Sequence, residues 1–84
     1  MYEVVLSRGA ARALERVTPA MRARVVKALE SARVDPLRGK RLRGELEGLF
    51  SLRIGVMRAV YEVDSDQMIM VVHAIGPRGD IYKK

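Results

Sequence analysis

The stretch Leu49–Ile75, LFSLRIGVMRAVYEVDSDQMIMVVHAI, decides the fold. It contains three β-rich runs, LFSLRI, VMRAVYEV and QMIMVVHAI, punctuated by Gly55 and then by Asp64, Ser65 and Asp66. Val, Ile, Phe and Tyr suit a pleated, half-buried surface, whereas Gly, Asp and Ser supply the turns. The runs are therefore expected to form an antiparallel meander. Alternation along the first run sets Phe50, Leu52 and Ile54 on one face and Ser51 and Arg53 on the other. The last run is apolar on both faces, as expected of a central strand covered by helices on one side and further chain on the other. His73 lies inside that run and reads as a hydrogen-bonded core histidine, with no carboxylate near it in sequence.

Upstream, Tyr2–Leu6 is a β-rich run that stops at Ser7, whose side-chain oxygen can cap a helix over SRGAARALERV. Ala10, Ala13, Leu14 and Val17 recur at helical spacing and give that helix one apolar stripe. Thr18 followed by Pro19 restarts the chain as a second helix, because proline loses nothing at the first helical position. This helix is expected to run to about Val34, where Asp35 and Pro36 stop it. The segment from Leu37 to Gly48, with glycines at 39, 44 and 48, reads as a loop carrying Arg38, Lys40, Arg41 and Arg43. Downstream, Gly76, Pro77 and Gly79 bend the chain before a short terminal strand expected at Ile81 and Tyr82. The whole predicts an α+β domain: an N-terminal strand, a two-helix hairpin, then an antiparallel sheet of three to four strands with helices on one face. The opposite face is left as a concave surface.

Eighty-four residues support a single domain, 1–84, with one core. There is no cysteine and only one histidine, so neither disulfides nor a zinc site are expected, and the core must be aliphatic. Sixteen Lys and Arg against ten Asp and Glu give a net charge of +6, which makes a polyanionic partner the first expectation. Charge alone does not choose among nucleic acid, an acidic protein and an anionic membrane. The opening residues are unlike a signal peptide and no stretch approaches a membrane span, so the expected location is cytoplasmic, with no membrane partner.

The sequence lacks a phosphate-binding glycine loop, clustered carboxylates for divalent metals and a nucleophile elbow. What remains is Arg, Lys, Tyr and one His, a set suited to stabilising a charged phosphorane and moving protons without metal or cofactor. Arg58 interrupts apolar positions, and the Gly55 turn can bring it beside Arg53 across a hairpin. Two cations so placed repel unless an anion lies between them. The alternative is an ordinary ion pair, with Glu62 on the same face or with Glu45 or Glu47. Arg78, held between Pro77 and Gly79, reads equally as a solvated loop residue, and Tyr82 as a ring packed at a sheet edge.

Taken in order, these pieces resemble the RelE branch of the RelE/ParE toxin superfamily from end to end. YEVVLSRGAARALERV is similar to its opening strand and helix, and LRGELEGLFSLRIGVMRAVYEV to its central motif with an R-x-x-Y unit. VVHAIGPRGDIYKK is similar to its closing strand, Gly-x-Arg turn and terminal Tyr. The resemblance implies a RelE-like fold and a type II toxin that enters the ribosomal A site. There it would act as a metal-independent endoribonuclease, cutting messenger RNA with the nucleotide's own 2′-hydroxyl to leave a 2′,3′-cyclic phosphate and a 5′-hydroxyl.

The resemblance gives Arg58 the reacting phosphate, Arg78 transition-state stabilisation and leaving-group protonation, and Tyr82 the stacked base. Ser51 and Arg53 fall where some relatives carry two basic residues. Ser51 brings no cation, and Arg53 adds charge to the catalytic set but is a poor general base. Lys40, Arg41, Arg43, Lys83 and Lys84 are the candidate RNA-binding cations. The implied partners are the ribosome, messenger RNA and a cognate RelB-like antitoxin, acidic and amphipathic. The rival implication is a ParE-like toxin that inhibits DNA gyrase by protein binding, or a degenerate member that binds ribosome or antitoxin without cleaving.

Overall fold

The computed structural model describes residues 1–77. Its elements run β1 (Glu3–Leu6), α1 (Arg8–Arg16), α2 (Pro19–Ala32), β2 (Lys40–Arg41), β3 (Phe50–Ile54), β4 (Met57–Asp64) and β5 (Ile69–Pro77). Both helix starts form as their sequences require. The Ser7 hydroxyl accepts from the Ala10 amide at 3.1 Å, and the Thr18 hydroxyl from the Met21 amide at 3.2 Å. Arg22 then fastens the second helix to the first, donating to the carbonyls of Leu14 and Glu15 at 3.1 and 3.0 Å. These are carbonyls that the end of α1 leaves without helical partners.

One five-stranded sheet, in the order β1-β5-β4-β3-β2, lies under the helices. It departs from the expected antiparallel sheet of three to four strands in two places. First, β1 pairs parallel with β5, so the sheet is mixed. The helix pair returns the chain over one face, and β5 then enters beside β1 in the same direction. Second, the expected loop contains β2, whose two residues pair with Ser51 and Phe50. Helix α2 also ends at Ala32 rather than Val34. Arg33 ties that end to the start of β1, its amide bonding to Leu29 and its Nε donating to the Tyr2 carbonyl at 2.8 Å.

The core fills the space between helices and sheet. Ala10, Val25 and Leu29 meet Phe50, Ile54, Met57, Ala59, Tyr61, Met70, Val72 and Ile75 in one apolar cluster. Tyr61 is 1% exposed, stacks on Phe50 with ring centroids 5.5 Å apart, and donates its hydroxyl to the Pro36 carbonyl at 2.6 Å. This bond holds the 3-10 turn Pro36–Arg38 against the sheet. Gly39 passes so close to the Tyr61 hydroxyl that a Cβ there would overlap it. The chain can therefore enter β2 only through a residue without a side chain.

Candidate functional site

The side of the sheet away from the helices is built by strand register. Arg53 of β3 and Arg58 of β4 are direct cross-strand partners, and Arg58 in turn faces Gly76 of β5. Partnered residues project to the same face, so both arginines stand on the helix-free side. Arg53 is exposed and Arg58 half-buried. The next row toward the sheet centre is Lys40, Ser51, Val60 and Ala74. Ser51 and Val60 are each only 5% exposed, so the middle of this face is a floor rather than a rim.

The pairing of Arg53 with Arg58 that the Gly55 hairpin suggests is thus present. Glu62 shares their face, but its carboxylate lies 2.5 Å from His73 Nε2. That contact corrects the reading of His73 as a core residue: its side chain is 42% exposed. The cause is a register shift at Val60/Tyr61, where Val60 faces Ala74 while Tyr61 faces Val72. His73 is the extra residue of this bulge and turns to the open face. The run is therefore not uniformly covered: Met70, Val72 and Ile75 are buried under the helices. Strict alternation hides this, because a bulge resets it by one residue. The signal available in sequence was a polar side chain inside an apolar strand.

The loop cations divide. Lys40 shares the open-face row with Ser51, whereas the Arg41 guanidinium lies over the Phe50 ring, 5.1 Å from its centroid. Arg43 lines a broad depression of about 990 Å³ together with Gly39, Lys40, Arg41, Leu42 and Glu47. Arg78, Tyr82, Lys83 and Lys84, and the terminal strand expected at Ile81 and Tyr82, lie outside the described residues. Among the described residues, no group of three or more His, Cys, Asp and Glu side chains is placed to hold a metal ion.

A row of cations beside a low floor is chemically suited to an extended anion. Two guanidiniums on neighbouring strands can each donate charge-assisted bonds to the same phosphate, which offsets their mutual repulsion.

Comparisons with known proteins bear on the family and the fold. Residues 4–82 match the family described as ParE toxin of type II toxin-antitoxin system, parDE. The chain is 38% identical to Toxin RelG of Mycobacterium tuberculosis, over 99% of this chain and 98% of that one. A chain of the RelBE2 toxin-antitoxin complex from Mycobacterium tuberculosis superposes with a TM-score of 0.84 at 37% identity, covering 92% of this chain and 98% of that one. The isolated Escherichia coli RelE toxin shares the fold at a TM-score of 0.81 and 20% identity, with 98% and 92% covered.

Proposed function

The chain belongs to the ParE toxin family of type II toxin-antitoxin systems, within the RelE/ParE superfamily, and we propose that this toxin is a ribosome-dependent endoribonuclease. It cleaves messenger RNA in the A site by attack of a 2′-hydroxyl on the adjacent phosphate. The observation that carries this reading is the cross-strand pair of Arg53 and Arg58 on the helix-free face. A phosphate passing to a phosphorane gains negative charge on its non-bridging oxygens, and fixed guanidinium donors stabilise that state more than the starting one. Arg58 takes the reacting phosphate, and Arg53 supplies further positive field from the exposed strand edge. Arg78 and Tyr82 take the roles that the RelE resemblance gives them, leaving-group protonation and base stacking.

Lys40 and Arg43, with Lys83 and Lys84, engage the RNA backbone beyond the reacting nucleotide. Arg41, committed to the Phe50 ring, contributes charge more than direct contact. The partner that silences the toxin is a RelB-like antitoxin, in keeping with the RelBE2 and Escherichia coli RelBE complexes among the similar structures. The toxin works in the cytoplasm, where ribosomes and messenger RNA are.

The second reading, a gyrase-binding toxin, draws on the family's ParE description. The identity to RelG and the facing arginines favour the first, because a protein-binding inhibitor has no chemical need for a phosphate clamp. Toeprinting on translating ribosomes separates the two. Induced expression should give messenger cuts within A-site codons; intact transcripts beside inhibited gyrase would replace the endoribonuclease with the rival.

A further inference from the structure

Attack by a 2′-hydroxyl needs a base, and neither arginine serves, since a guanidinium holds its proton at any physiological pH. We propose that His73, oriented by Glu62, is the general base of this site. The inference rests on the endoribonuclease reading and deepens it. Three observations support it: the bulge that turns His73 out of the core, the carboxylate that meets it there, and the face that both share with Arg53 and Arg58.

The bond to Glu62 fixes the tautomer. A carboxylate accepts and does not donate, so in the neutral imidazole Nε2 is the donor to Glu62 and Nδ1 is the atom with a lone pair. A carboxylate behind an imidazole also holds the ring in one orientation while Nδ1 takes a proton, which is the arrangement a general base requires. Position fits as well. Gly76, the partner of Arg58, is three residues from His73 along β5, about 10 Å at the usual strand rise. Ala74 and Val60 lie between them on a low floor. A nucleotide lying across Ala74 and Val60 would have its 2′-hydroxyl within reach of His73 when its 3′-phosphate is turned toward Arg58.

The step balances without a co-reactant. His73 Nδ1 removes the 2′-hydroxyl proton as O2′ bonds to phosphorus. The P–O5′ bond breaks with its electron pair, and O5′ takes a proton from a group other than His73, the role given above to Arg78. The imidazolium then returns its proton to solvent. Among the described residues, charged groups on this face are Arg58, Glu62 and Asp64 on β4, Arg53 on β3, Lys40 on β2 and Glu3 on β1, while α1 and α2 lie across the sheet. The Ser7 hydroxyl, while capping α1, donates to the His73 carbonyl at 2.8 Å and leaves the ring to Glu62.

The test is single-turnover cleavage on programmed ribosomes from pH 5.5 to 8.5, with ribosome binding measured in parallel. Wild type should gain rate with rising pH and then level. His73→Gln should bind ribosomes normally, lose about 100-fold or more in rate, the contribution typical of a positioned base, and lose that acid limb. Arg58→Ala should be slow yet keep the limb. Added imidazole should restore part of the rate to His73→Ala. A wild type that cleaves while His73→Gln matches its rate, or keeps its acid limb, overturns the general base and leaves the endoribonuclease standing. A wild type that does not cleave on ribosomes removes both.

Discussion

The two ends of the β3–β4 pair make opposite use of the same ladder. At one end Phe50 partners Tyr61 under the helices, and the rings stack. At the other, Arg53 partners Arg58 on the helix-free face. Aromatic pairs across strands contribute to stability, whereas like charges directly opposite detract from it. Under the proposed function the first pair serves stability and the second meets the phosphate of the RNA.

The largest effect should come from removing the half-buried member of the cation pair. Arg58→Ala is expected to reduce single-turnover cleavage by about 100- to 1000-fold, the loss typical of one transition-state donor. A variant that cleaves normally, or one that fails only because it unfolds, would erase the distinction between the two ends.

The aromatic end should respond in the reverse sense. Tyr61→Phe keeps the stack on Phe50 but removes the bond to the buried Pro36 carbonyl, and should cost about 1–3 kcal/mol of stability. Cleavage per folded molecule should change little. Burial, with the Asp35 carboxylate second, raises the Tyr61 hydroxyl above the ordinary tyrosine value of 10.0. The folded chain therefore holds this proton more tightly than the unfolded chain does. The stability it contributes is complete below pH 10 and is lost as pH rises through the elevated folded value. Alkaline unfolding monitored by circular dichroism should accordingly be less steep in Tyr61→Phe than in wild type.

Much of this division can be read in the sequence. Ser7 and the Thr18–Pro19 pair announce both helix starts through local hydrogen-bonding chemistry, and Gly55 announces the hairpin that brings the arginines opposite each other. Alternation also puts Arg53 on the face away from Phe50. The features that escape are those fixed by distant chain. Two residues of β2 exist because β3 is there to pair with them, not because Lys and Arg favour strands. The parallel union of β1 with β5 depends on how the helices return the chain. His73 reaches the open face only through a bulge set by the match of β4 to β5, and its Glu62 partner is eleven residues away.

The smallest effect is the most direct measure of the contrast. Arg53 is exposed at the hairpin end, so replacing it removes a charge facing Arg58 without opening the core. If the two guanidiniums repel in the free protein, Arg53→Ser should stabilise it by about 0.2–1 kcal/mol at low ionic strength. The gain should shrink as salt screens the pair, because exposed charges are damped within a Debye length of about 8 Å at physiological ionic strength. Denaturant unfolding at two salt concentrations reads both quantities. A short RNA oligonucleotide should reverse the sign: bound between two cations, wild type gains more stability from it than Arg53→Ser does. Equal stabilisation by RNA would remove Arg53 from the anion site and leave Arg58 as its anchor on this hairpin. A salt-independent change would mean that Arg53 acts through packing rather than charge.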